Sequence, residues 1–433
     1  MAGRSKFRKD DRMGKTISEK IIARAADKES VRSGDIVWAN VDSAMMDDIL
    51  GPRVEIADRM VELNATIWDP KKVVIISDHY TPPANATQAA IVKFTREWAY
   101  KHGVEKYYEF VGPCHQIMAE NGHVMPGTVV MGTDSHTCMG GALGAFASGI
   151  GSTEMVGILV TGQIWLRVPE TIRVAWHGKL NAGVMAKDIS LATIGKIGHA
   201  GATYKAVEYV GSAIDDLCMD ERFCIANMAV EMGAKVGLMN TDSVTKTFLA
   251  TLGREDDFVA LSSDDDAVFC ERFDFDASIL KPMVSCPHEV DNVSAISDLE
   301  SKVRIDQAYI GSCTGGRYTD LLFAAKLLKG KKVRSGRRLL VSPSSKSIWE
   351  RAAADGILQT LSEAGAMILA PTCGVCVGLH SGTLADGEVC ISSTNRNFLG
   401  RMGSKKAFTY LGSPLSVAAS AVAGEIIDPR ELL

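Results

Sequence analysis

Apolar runs of three or four residues recur along the chain, and each ends in a cluster of Gly, Ser, Thr, Asp, Asn or His. Val73-Val-Ile-Ile76 runs into Ser77-Asp-His79, and Val129-Val-Met131 into Gly132-Thr-Asp-Ser-His-Thr137. Ala308-Tyr-Ile310 runs into Gly311-Ser-Cys-Thr-Gly-Gly316, and Leu339-Leu-Val341 into Ser342-Pro-Ser-Ser. Met367-Ile-Leu369 and Val389-Cys-Ile391 lead in the same way into Ala370-Pro-Thr-Cys-Gly-Val-Cys376 and Ser392-Ser-Thr-Asn-Arg-Asn397. Short buried strands followed by helix-like stretches predict parallel α/β architecture. In such sheets ligands bind outside the carboxyl ends of the strands, which is where the polar clusters fall.

The pattern divides the chain into units. Residues 1–15 are basic, without an apolar core behind them, and predict a flexible extension rather than a secretory signal. Thr16-Ile-Ser-Glu19 has capping-box spacing ahead of an amphipathic helix. Breaks are expected near Val168-Pro169 and near 285, giving α/β units over 16–168, 169–285 and 286–433. The acidic stretch from Asp256 to Asp276 is expected as a solvated loop region, Pro282 and Pro287 as the flanks of a linker, and the glycine-rich 140–151 stretch as a tightly packed small-residue helix.

Composition narrows the function. The 433 residues are 46% hydrophobic and 23% charged, with net charge -5, which argues against a general nucleic-acid binder. No stretch is apolar and long enough to span a membrane, so a cytoplasmic protein is expected. Ten cysteines are spread along a chain with no export signal, which favours thiol or metal chemistry over disulfides.

Cys373-Gly-Val-Cys376 is a C-x-x-C with no second copy nearby to make a zinc ribbon. Zinc, redox and iron–sulfur readings remain open for it alone. Cys313 lies at a strand end between glycines, and the helix from Tyr318 is expected to aim its first amides at the same spot. Three thiolates, rather than the four usual for electron transfer, would leave one iron open as a Lewis acid.

Gly311-Ser-Cys-Thr, Pro371-Thr-Cys-Gly-Val-Cys-Val-Gly378 and Ser393-Thr-Asn-Arg-Asn-Phe-Leu-Gly-Arg401, in this order and spacing, resemble three signatures of the aconitase family, and Gly132-Thr-Asp-Ser-His-Thr137 resembles a fourth. The resemblance runs from about Thr16 and is strongest to the branch of two-subunit dehydratases. It implies three α/β/α domains around an iron–sulfur cluster, with the swivelling fourth domain on a separate small subunit. It also implies one 4Fe-4S cluster per large subunit, held by Cys313, Cys373 and Cys376 with one iron open. Asp78, His79, His115, Asp134, His136 and Glu231 match catalytic positions. Ser135, Asn227, Asn395, Arg396 and Arg401 match positions that hold substrate, and Asn397 supports their loop. Asn227 and Glu231 are expected on one helix face. The activity implied is reversible hydration of a small hydroxy-dicarboxylate, 3-isopropylmalate first, with 2,3-dimethylmalate and homoaconitate types as alternatives. An iron-sensing RNA-binding relative and a cluster carrier are the readings from other classes. Gly315, Cys138-Met139 and Cys114 depart from the usual family residues and bear on the substrate rather than the reaction.

Overall fold

A computed structural model describes residues 13–433; the extension expected over 1–15 lies outside the described residues except for its last three. Of these, Lys15 donates its amide to Asp264 at 2.7 Å, just ahead of the helix Ile17–Ala25. Thr16 caps that helix through the reciprocal Thr16–Glu19 bonds that the spacing predicts.

Val73–Ser77 is buried at every position, as a strand covered on both faces must be. It belongs to a five-stranded parallel sheet in the order Lys106–Glu109, Val73–Ser77, Ser43–Asp47, Val129–Gly132, Phe146–Gly149. An antiparallel ribbon, Ile36–Asn40 against Gln163–Arg167, flanks it. Here Val37 and Ala39 are buried while Ile36 and Trp38 stay exposed, the alternation of a half-covered strand.

A second parallel sheet has the order Val236–Met239, Ala206–Val210, Thr171–His177, Glu271–Asp276. Its last strand occupies part of the expected solvated loop. Phe273 and Phe275 alternate with charged residues and pack one face on the core, a period-2 pattern masked by the acidic composition. The third sheet runs Val293–Ala295, Met283–Ser285, Phe408–Gly412, Val389–Ser392, Gln307–Ile310, Arg338–Val341, Ala366–Ile368. Its last five strands are parallel and its first two antiparallel. Met283–Ser285 lies where a linker is expected between Pro282 and Pro287: it pairs on both edges and has no proline within it.

Chain order reverses beside Ser43–Asp47 in the first sheet and beside Gln307–Ile310 in the third. Crevices form at such reversals, at the strand carboxyl ends. The two crevices meet: the Asp78 carbonyl accepts the Cys373 amide at 3.1 Å and Thr372 Oγ1 at 2.9 Å.

The 140–151 stretch is not an α-helix. It closes a 3-10 helix, Ser135–Leu143, and then enters the strand Phe146–Gly149. A Cβ at Gly141 would stand 2.1 Å from the Gly237 carbonyl oxygen, so the glycine lets two units touch backbone to backbone.

Candidate active site

Four polar clusters of the site follow strand ends. Asp78 and His79 follow Val73–Ser77, Asp134 to His136 follow Val129–Gly132, Cys313 follows Gln307–Ile310, and Asn395 and Arg396 follow Val389–Ser392. His79 Nδ1 donates to Asp78 Oδ1 at 2.7 Å, and its amide donates to Asp48 Oδ1 at 3.0 Å. Burial opposes charge on this ring, but Asp78, Asp48 and Asp47 outweigh burial and hold its pKa well above the ordinary value. His79 is therefore an imidazolium near neutral pH, with Nε2 at 3.8 Å from Asp134 Oδ2.

Asp134 is the hub of the first unit. Its Oδ1 accepts His115 Nε2 at 2.9 Å and the His136 amide at 2.8 Å. Burial alone would raise this carboxyl, yet His115 and His136 pull it well below the usual range. His136 Nε2 donates to Glu231 Oε1 at 2.8 Å. Arg396 Nε donates to both Glu231 oxygens, at 2.8 and 3.1 Å, and its NH2 reaches Ser135 Oγ at 3.1 Å. Against its burial, those partners keep Glu231 ionised.

The thiols lie behind this network. Asn227 Nδ2 donates to Cys313 Sγ at 3.2 Å, and Asn395 Oδ1 faces Cys313 Sγ at 4.0 Å and Cys376 Sγ at 3.7 Å. Cys373 Sγ lies 3.5 Å from Asp78 Oδ2, and Arg401 NH2 lies 3.8 Å from Cys376 Sγ. All three are free thiols. Burial pushes Cys313 up to about 11 and Cys373 well above the ordinary thiol value, so thiolates form here when a neighbouring positive charge offsets the burial. Three thiols converging in a largely buried, carboxylate- and amide-lined recess, with no disulfide, suit the iron of a cluster.

A cavity of about 780 Å³ opens in front, walled by His79, Asp134, Ser135, His136, Arg396 and Arg401, with Ile49, Leu50 and Val377 as apolar wall. Arg401 Nε is buried and has no hydrogen-bond partner among the described residues, a donor open to an anion. His115, Asn227 and Asn395 are buried and not among the cavity walls. Asn227 and Asn395 hydrogen-bond each other beside the sulfurs. Asn397 turns away and ties its loop to Ser285 and Cys286.

Two expectations are corrected. Asn227 ends the helix Met219–Met228, while Glu231 stands on the following 3-10 turn Ala229–Met232, so they do not share a helix face. The tightening aims Asn227 at Cys313 and Glu231 at His136. At the start of the helix Tyr318–Leu328, the Arg317 and Thr319 amides bond Asp320 and Asp220, so they are not free for the thiols. Gly315 has no room for a side chain: a Cβ there would stand 2.4 Å from Ser393.

Sequence reasoning missed Asp47, Asp48, Lys187, His199 and His380. Asp47 ends a strand, Ser43–Asp47, and Asp48 follows it, with no β-branched residue to announce the strand. Thr133 Oγ1 donates to Asp47 at 2.7 Å, and burial raises Asp47 to about 6. His380 Nε2 donates to the His79 carbonyl at 3.0 Å, and His199 Nδ1 to the Glu231 carbonyl at 3.0 Å. These contacts span 301 and 32 residues, and no local signal marks them.

Thiols at strand ends, a carboxylate–imidazole chain and paired arginines around one cavity define an α/β enzyme for a small anion. The chain belongs to the aconitase family of hydro-lyases: the family described as aconitase (aconitate hydratase) matches residues 44–424. It is 46% identical over 427 residues to the 3-isopropylmalate dehydratase large subunit 1 of Methanopyrus kandleri, covering 97% of this chain and 100% of that one. Large subunit 1 of Archaeoglobus fulgidus is likewise 46% identical over 421 residues, covering 97% of this chain and all of its own. Among solved structures, Thermococcus kodakaraensis aconitase X superposes with TM-score 0.50 at 14% identity, over 83% of this chain and 84% of that one, a likeness of fold. Among the described residues no helix is long and apolar enough to cross a membrane.

Proposed function

We propose that this chain is the large subunit of a two-subunit hydro-lyase that reversibly dehydrates a substituted malate, with 3-isopropylmalate as substrate. The observation that carries this reading is the convergence of Cys313, Cys373 and Cys376 behind a cavity walled by His79, Asp134, His136, Arg396 and Arg401. The relatives' names supply the substrate and the separate small subunit. The apolar wall at Ile49, Leu50 and Val377 suits an alkyl substituent. Family membership implies a 4Fe-4S cluster, and the three cysteines are its proposed ligands. When bound, it would supply a Lewis acid that polarises the departing hydroxyl.

The chain's own residues do the rest. Arg401, with its free Nε, holds a substrate carboxylate, and Arg396, whose Nε and NH2 are engaged by Glu231 and Ser135, adds its charge and its remaining N–H groups at the same wall. His79, kept protonated by Asp78 and Asp48, gives its Nε2 proton to the leaving oxygen. Asp134 accepts from His115 and His136 and keeps both rings oriented, and Ser135 positions Arg396. The group that takes the proton from the adjacent carbon is assigned to the small subunit. The division into units near 168 and 285 belongs to the same proposal: the cavity draws walls from each of them.

The test is anaerobic reconstitution with iron and sulfide, addition of the small subunit, and enoate absorbance with a panel of malates. 3-Isopropylmalate should turn over only with both subunits present. Turnover of citrate alone, or by this chain alone, would overturn the assignment. Cys376→Ser should lose cluster absorbance and turnover together; a variant that keeps both removes Cys376 from the ligand set.

A further inference from the structure

Lys187 lies in the helix Ala186–Ile197, behind the cysteine loops, with 1% of its surface exposed. Its Nζ donates to the Thr394 carbonyl at 2.7 Å, to Thr314 Oγ1 at 3.3 Å and to Met228 Sδ at 3.3 Å; none of these acceptors is charged. Thr314 adjoins Cys313, and Thr394 adjoins Asn395, whose oxygen faces the sulfurs of Cys313 and Cys376. The acids around it are spent elsewhere. Asp188 accepts the amides of Met185 and Met283, and Glu231 is held by His136 and Arg396.

Arg317, on the far side of the Cys313 turn in sequence, repeats the pattern. It is fully buried, bonds Gln116 Oε1 at 3.1 Å and Met139 Sδ at 2.9 Å, and lies over the Phe223 ring. Its NH1 has no partner among the described residues. The neighbouring Asp320 takes the Arg317 amide, not its guanidinium.

A buried cation without a carboxylate is strongly unfavourable unless another anion balances it. Three thiolates outweigh the positive charge of an oxidised cluster core, so the loaded site is that anion. Two of the helix-end amides that could have shared the task, those of Arg317 and Thr319, are taken by Asp320 and Asp220. We propose that Lys187, seconded by Arg317, is the built-in counter-charge of the iron–sulfur cluster, a positioning residue that sets the cluster's potential and its retention. This rests on the cluster reading above and adds to it a residue that touches neither a cysteine sulfur nor substrate.

Four measurements on the full chain test the proposal. Iron and sulfide content of the reconstituted wild-type chain comes first and tests the cluster reading separately. Lys187→Met then removes the charge at similar length. Its cluster should reduce at a more negative midpoint potential, because an electron is harder to add once a neighbouring cation is gone. Iron loss to a chelator should quicken roughly 10-fold. The apo-form of the variant should unfold at higher urea than the wild-type apo-form, since it buries no unbalanced ammonium. A potential and a rate of iron loss equal to wild type would overturn the proposal. If the variant takes up no cluster, the apo-forms decide: a urea midpoint above wild type supports the counter-charge, and one below it makes Lys187 a packing residue.

Discussion

Arg396 and Lys187 are both basic side chains and are held in opposite ways. Arg396 lies at the cavity with its fork closed on Glu231 and Ser135. Lys187 lies behind the thiols on neutral acceptors. The first was legible in the sequence, because Asn-Arg-Asn at a strand end is a motif; the second was not, because its partners come from residues 228, 314 and 394. A fork is also what a lysine lacks. Arg396→Lys keeps the charge but cannot bond both Glu231 oxygens and Ser135 from one planar group. Steady-state kinetics of the reconstituted two-subunit complex should show kcat/KM lower by on the order of 100-fold, with a raised KM. An unchanged kcat/KM would place the substrate carboxylate on other residues.

Between elements, buried acids act as fasteners. Glu208, on Ala206–Val210, accepts the Ile17 amide at 3.0 Å and Ser263 Oγ at 2.6 Å, tying the first helix to the second sheet. Burial raises its pKa to about 7. The folded chain therefore keeps a proton that the unfolded chain has released. The contribution to stability is full below the unfolded value and is lost as pH rises towards 7. Glu208→Gln removes this loss, which is on the order of 3 kcal/mol. The urea midpoint of the variant should fall less steeply between pH 5 and 7, as about two pKa units of linkage vanish. Asp188 and Asp320, also raised to about 7, leave part of the slope in place. An identical slope would mean that Glu208 is ionised in the fold. At this scale local pattern carried the strands well, and composition misled twice. Acidic residues hid the strand Glu271–Asp276, and small residues suggested a helix where Gly141 serves a backbone contact with Gly237.

At the scale of the molecule, the site exists only where the crevices of two sheets meet. Cys313 and the loop of Cys373 and Cys376 come from the third sheet, while Asp78 and Asn227, which touch their sulfurs, come from units earlier in the chain. Anything that binds these thiols stabilises the junction, since a ligand of the folded state alone adds its binding energy to folding. Hydrogen exchange should slow on cluster reconstitution at 311–317 and 371–378, and also at 78–80, whose carbonyls accept from Thr372, Cys373 and His380. Slowing confined to the cysteine loops would show that the units do not lock through the cluster. The sequence by itself determined the parallel α/β class and the strand-end motifs, because burial pattern and strand-end chemistry are local, while the three cysteines were singled out as a set through the family resemblance of those motifs. Only the tertiary structure decided that Asp48 joins Asp78 in charging His79, that Glu231 belongs to His136 and Arg396, and that Lys187 stands unbalanced behind the thiols. Hydrogen bonds and buried charges are settled by distances in space, and those distances join residues that the chain keeps far apart.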